Sequence, residues 1–132
     1  MRFFKGLEGL KTVYDDILRT KKGYIGYGSG EIERLLKFYF KHYIDRRLKL
    51  RIKTRLIYAE KDRGKKYTKN PLSETRFLPD EYSSHATIRI YRDKIAILLL
   101  SKEEPLAIII KNNEIAEGYK NYFEVLWKAA KT

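Results

Sequence analysis

The chain is 132 residues long, 43% apolar and 14% aromatic, with 29 Lys and Arg against 17 Asp and Glu, for a formal net charge of +12. That size and apolar content fit one packed domain and argue against two domains or a disordered chain. The lack of cysteine excludes disulfides, thiolate metal sites and a Cys nucleophile, and only two histidines argue against a multi-His centre, so neither metal nor cofactor is expected.

Met1 to Lys5 opens without the apolar run of a signal peptide. The longest apolar stretch, Ile95 to Leu100, is six residues, far short of a membrane span. A soluble cytoplasmic protein without membrane contact is expected. Apolar residues at Phe4, Leu7, Leu10, Tyr14, Ile17 and Leu18 step by threes and fours and predict a helix over 4–18, closed by Lys21, Lys22 and Gly23. Tyr24 to Gly28 reads as a short strand. A second helix is expected from Ser29, with its stripe at Ile32, Leu35, Leu36, Tyr39, Phe40, Tyr43 and Ile44. Glu31 and Glu33 open it and Arg46 and Arg47 close it, each complementing the helix dipole.

From Leu48 the period becomes two. Leu48, Leu50, Ile52 and Leu56 alternate with Lys49, Arg51, Lys53 and Arg55, which predicts a strand with one apolar and one basic face. Glu60 to Asn70 is charged and polar and reads as a solvated helix turn or loop; Arg76 to Leu78 reads as a brief strand. Ala86 to Arg92 alternates, Tyr91-Arg92-Asp93-Lys94 looks like a hairpin turn, and Ile95–Leu100 and Leu106–Ile110 complete an antiparallel meander. Asn112 or Asn113 caps a last helix whose stripe is Ile115, Tyr119, Phe123, Leu126, Trp127 and Ala130. This order predicts an α/β three-layer sandwich, a mixed sheet with helices packed on it.

The positive charge is concentrated. Between Lys41 and Arg76 stand thirteen Lys or Arg against four Asp or Glu, a net of +9. Arg46, Arg47, Lys49, Arg51, Lys53, Arg55, Lys65 and Lys66 form a candidate surface for a DNA or RNA phosphate backbone. The competing reading is a solvated face, or an edge strand protected by charge. Between the first strand and second helix, Gly28, Ser29 and Gly30 form a candidate anion-binding turn: glycines admit a ligand close to the backbone, and a helix start favours negative charge. The turn matches neither the Walker A loop nor the dinucleotide fingerprint, and the competing reading is a plain tight turn capped by Ser29.

Taken in order, several motifs resemble the C-terminal effector domain of TrmB-type transcriptional regulators, which has a phospholipase-D-like fold. They are Phe4 to Lys11, Tyr27-Gly28-Ser29, Arg46 to Tyr58, Arg76-Phe77-Leu78-Pro79, Ile90 to Ile97, and Glu104-Pro105-Leu106 through Ile115-Ala116-Glu117 to Phe123 to Trp127. The resemblance implies an effector-binding, homodimeric module of a transcriptional regulator, with a sugar or related small polar metabolite as partner; the basic charge points to a phosphorylated one. Such regulators carry a winged-helix domain and a helical linker upstream, and the resemblance covers the effector domain alone. Catalytic phospholipase-D-like enzymes use His-x-Lys and a downstream Asp. Here His85 is followed by Thr87 in place of Lys, with Asp93 beyond. An uncharged Thr cannot neutralise charge on a phosphoryl oxygen, so the resemblance implies a non-catalytic site in which His85 and Thr87 join Gly28, Ser29 and Gly30 in holding ligand; a phosphodiesterase of phospholipase-D type is the less favoured alternative.

Overall fold

The computed structural model describes all residues from Met1 to Thr132. Its centre is a mixed sheet of seven strands: β1 Arg2–Lys5, β2 Tyr24–Gly28, β3 Thr54–Ala59, β4 Ser73–Leu78, β5 Ala86–Tyr91, β6 Lys94–Leu99 and β7 Leu106–Lys111. They lie in the order β1-β7-β6-β5-β2-β3-β4. The pairs β2–β3 and β3–β4 are parallel, and every other pair is antiparallel. Four helices complete the fold: α1 Gly6–Arg19, α2 Ile32–Leu35, α3 Lys37–Lys49 and α4 Asn113–Ala129.

Alternation along the strands divides the core in two. On one face Leu10, Val13, Tyr14, Ile17 and Leu18 of α1 and Tyr43 of α3 pack on Tyr91, Ala96, Leu98, Ala107 and Ile109 of the sheet. On the other, Ala116, Phe123 and Trp127 of α4 cover Ile57, Ile90 and Ile95. Each face of the sheet is thereby buried against helices, as its apolar pattern requires. The predicted meander forms β5 to β7, with Tyr91 paired to Lys94 across the Arg92–Asp93 turn. The predicted cap also forms: Asn112 Oδ1 accepts from the Ile115 amide at 3.0 Å.

Three expectations are corrected. The first helix begins only at Gly6, because Arg2–Lys5 pairs with β7 as an edge strand. Gly6, at φ 71°, turns the chain from strand to helix, and its amide donates to the Pro105 carbonyl at 2.9 Å. The second helix is broken at Leu36, whose φ of −130° and ψ of 57° separate α2 from α3. Most consequential, the strand expected from Leu48 does not form there. The helix α3 runs on to Lys49, Arg51 turns the chain at φ 55°, and β3 starts at Thr54. The alternating basic face of Lys49, Arg51, Lys53 and Arg55 therefore does not exist as a strand face. Its residues belong to a helix end, a turn, a connecting segment and a strand.

Candidate functional site

A cleft of about 590 Å3 opens where β2 and β3 end and β5 begins. That is within the usual size range of a small-molecule site. Gly28, Ser29 and Gly30 form one wall, Lys61, Asp62, Lys65 and Tyr67 another, and Ser83, Ser84 and His85 a third; Glu31, Glu33, Arg34 and Lys37 stand at the α2 side.

The two glycines are required by packing. Gly28 sits at φ 132°, and a Cβ there would fall 2.4 Å from the Ala86 carbonyl oxygen. A Cβ on Gly30 would fall 2.0 Å from Cε1 of Tyr67. Ser29 is held from both sides. Its amide donates to Thr87 Oγ1 at 3.1 Å, and its carbonyl accepts from the same hydroxyl at 3.2 Å. Its own hydroxyl accepts from the Glu31 amide at 3.0 Å. Thr87 is wholly buried and does not line the cleft; its hydroxyl is committed to Ser29. It positions the turn and does not face a ligand, which corrects the expectation for this residue. With four residues, α2 also gives the turn little of the dipole of a full helix.

His85 does line the cleft, with a side chain 76% exposed and Nδ1 3.2 Å from Oε2 of Glu31. Glu31 also pairs with Arg34 at 2.8 Å. Across the cleft the buried Asp62 carboxylate accepts from the Tyr67 hydroxyl and lies 3.6 Å from Lys65 Nζ. Burial, and then the Asp62 carboxylate, push the Tyr67 hydroxyl well above its ordinary value. The cleft cations Lys37 and Lys61 have no carboxylate within ion-pair distance, since the cleft's ion pairs are Arg34–Glu31, Lys65–Asp62 and His85–Glu31. Sequence reasoning places Lys61 and Tyr67 with the basic nucleic-acid surface and misses Lys37 and Asp62; the fold brings the 61–67 segment to the glycine turn from about thirty residues away. Asp93 cannot act with His85: the six residues of β5 stand between them, roughly 20 Å of extended chain.

The eight residues of the candidate nucleic-acid surface are scattered. Arg47 is 2% exposed, with its guanidinium donating to the carbonyls of Ile52 and Pro71 at 2.7 Å each. It is a core residue and cannot meet a phosphate. Arg55 is engaged by α4, bidentate on Glu124 at 2.9 and 2.7 Å and stacked near Phe123 and Trp127. Arg46 pairs with Asp15 at 3.1 Å. Lys65 lines the cleft and Lys66 follows it, while Lys49, Arg51 and Lys53 lie exposed near the opposite end of the sheet.

At that opposite end a second basic surface forms. Lys22, Lys53, Arg55, Arg92 and Lys120 surround a shallow groove of about 850 Å3, interrupted by Glu74 and Glu124. Lys21, Arg51 and Arg92 occupy the left-handed region there, at φ 57°, 55° and 54°. That conformation costs a side-chain-bearing residue roughly 1–2 kcal/mol relative to glycine. Lys22 and Lys53 lead into the paired strands β2 and β3 and line the same groove, with the Tyr24 amide donating to the Lys53 carbonyl at 3.2 Å.

Fold and site together define a mixed α/β domain with a polar, partly cationic cleft at one end of its sheet. No family model and no curated protein matches the chain. Solved structures do. NucT from Helicobacter pylori superposes with a TM-score of 0.66 over 98% of this chain and 99% of its own, at 12% identity. TrmBL2, an archaeal chromatin protein whose structure shows a mode of DNA binding, superposes with a TM-score of 0.63 over 99% of this chain, at 15% identity. This chain spans 54% of the length of TrmBL2. At such identities the likeness is one of fold.

Proposed function

We propose that the chain is a TrmB-like sensing domain of phospholipase-D-like fold, binding a small phosphorylated or otherwise anionic metabolite without turning it over. The observation that carries this reading is the pair of unpartnered ammonium groups, Lys37 and Lys61, in a cleft that also holds the Ser29 turn and His85. Lys37 and Lys61 supply charge for the anion, and His85 and the serines of its wall supply hydrogen bonds. What supports binding without hydrolysis is Thr87, an uncharged residue, standing two positions after His85. The test is a thermal-shift panel of sugars, sugar phosphates and nucleotides at low and high salt. A selective rise that persists in salt, and that Lys61→Ala weakens about tenfold in affinity (~1.4 kcal/mol, the scale of one charged hydrogen bond), supports the reading. Stabilisation by polyanions alone, erased by salt, overturns it.

A second reading is favoured by the basic groove at the other end and by the DNA binding of TrmBL2: the domain contacts a nucleic-acid backbone through Lys22, Lys53 and Arg92. Each neutralised phosphate contributes a slope of about −0.9 to the logarithmic salt dependence of duplex binding. Lys53→Ala and Arg92→Ala should each flatten the measured slope by about that amount; unchanged slopes would remove these residues from any interface.

A further inference from the structure

Behind the cleft, and sharing Gly30 and Tyr67 with it as a common wall, lies an internal chamber of about 20 Å3. That is room for one water-sized occupant. The chamber is lined by Arg47 and Arg89 and by Tyr14, Tyr24, Tyr43 and Tyr58, and no aspartate or glutamate is among its lining residues. Arg47 at least finds two carbonyl acceptors. Arg89, 4% exposed, donates to the Ile88 carbonyl at 3.1 Å and takes part in no ion pair. The sheet is built to admit it: a Cβ on Gly26 would fall 2.8 Å from Arg89 Nη1 and 2.9 Å from its Cδ.

Arginine cannot shed its proton inside a protein, and a buried charge without a counter-charge is strongly destabilising. The tyrosines do not supply the missing negative charge. Burial pushes the hydroxyls of Tyr14, Tyr43 and Tyr58 up, Tyr58 to about 12, so all three stay neutral at ordinary pH. They remain donors. The Tyr14 hydroxyl has no hydrogen-bond partner although it is buried, and of the Tyr24 and Tyr43 hydroxyls, 2.7 Å apart, one keeps a free proton. The chamber thus joins positive charge, an orphaned donor and room for one atom-sized guest. A water there would leave both guanidinium charges uncompensated; a monatomic anion neutralises one and accepts the free protons.

We propose that the chamber is a binding site for a single halide ion, chloride under ordinary conditions, held by the Arg89 guanidinium and the Tyr14 hydroxyl. The occupant also braces the wall formed by Gly30 and Tyr67 from behind. The direct test is diffraction from crystals of the full chain with bromide in place of chloride. An anomalous peak in the chamber beside Arg89 is expected; ordinary water density or an empty chamber overturns the proposal. In solution, exchanging gluconate for chloride at constant ionic strength should raise the unfolding temperature along a saturating curve. Tyr14→Phe should shift the half-saturating chloride concentration up about tenfold, and Arg89→Leu should abolish the dependence. Equal unfolding temperatures in both salts would refute the site. If Arg89→Leu fails to fold, the bromide experiment on the unaltered chain still decides.

Discussion

Replacing Gly30 with alanine tests the cleft wall at its tightest point. In most exposed positions that substitution is neutral or stabilises by up to about 1 kcal/mol, by restricting the unfolded chain. Here the new methyl would stand 2.0 Å from Cε1, 2.3 Å from Cζ and 2.6 Å from Cδ1 of the Tyr67 ring. The ring must swing away. In doing so it gives up the hydrogen bond from its hydroxyl to Asp62 and its edge-on packing against Tyr58, at 5.4 Å between centroids. A bond to a carboxylate contributes about 1.5–3 kcal/mol and an aromatic pair about 0.5–1.5 kcal/mol. Gly30→Ala should therefore cost about 2–4 kcal/mol in urea unfolding, with an unchanged m-value. Tyr67→Ala removes the obstacle, so in that background Gly30→Ala should be close to neutral, and the double-mutant cycle should show a coupling nearly as large as the single cost. A cost below about 1 kcal/mol in the unaltered chain, or an undiminished cost beside Tyr67→Ala, would refute the reasoning.

Two single substitutions and one double-mutant cycle probe other polar contacts. Burial alone would raise the Asp16 carboxyl, but Lys94 at 3.0 Å, the Tyr91 hydroxyl at 2.8 Å and Arg19 hold it below its ordinary 3.8. Because the folded value is the depressed one, Asp16 contributes stability that is fully present above about pH 3.8 and is lost as pH falls through the folded value. Asp16→Asn should cost about 2 kcal/mol at neutral pH, and acid titration of unfolding should show the gap to the unaltered chain closing below pH 4. Arg47→Met should cost about 3 kcal/mol by stranding the carbonyls of Ile52 and Pro71, measured by thermal unfolding; a loss of ligand affinity without loss of stability would contradict its placement in the core. Arg55 and Glu124 are each partly exposed, so a double-mutant cycle should give a coupling of only about 0.5–1 kcal/mol, shrinking with added salt.

The elements that reported themselves in the sequence are those whose periodicity was set by one neighbour. In α1 the stripe from Leu10 to Leu18 meets a single sheet face, and in α4 Phe123 and Trp127 meet the other. The β5–β7 meander was legible for the same reason, since its apolar runs are separated by short turns. Failures came where two periods coincide. Phe4 continues the helical spacing of Leu7 and Leu10, which hid β1. Leu48 and Ile52 are four apart as well as two steps of two, so the end of α3 read as a strand. Of the site, the glycine turn and His85 could be found, because glycines and a histidine are rare enough in this chain to draw notice. Of the cleft lysines, Lys61 and Lys65 read as part of a nucleic-acid surface and Lys37 was lost among the other basic residues, and Asp62 among the polar residues of a segment read as solvated. Arg89 was invisible: on an alternating strand a charged residue reads as solvent-facing, and nothing local tells that its face is covered by α1 and α3.

The two ends of the chain are fixed to opposite borders of the sheet. The first residues form the β1 border, while Lys131 exchanges both backbone hydrogen bonds with Phe77 of β4, at 2.7 and 2.9 Å. Six inter-strand spacings of about 4.8 Å put roughly 29 Å between those borders. Tension applied between the ends accordingly acts across the strands and not along them. It peels β1 from β7 and the Lys131 segment from β4 one hydrogen bond at a time, with no ladder loaded in shear. Held by its ends, the domain is mechanically soft, whatever its thermal stability.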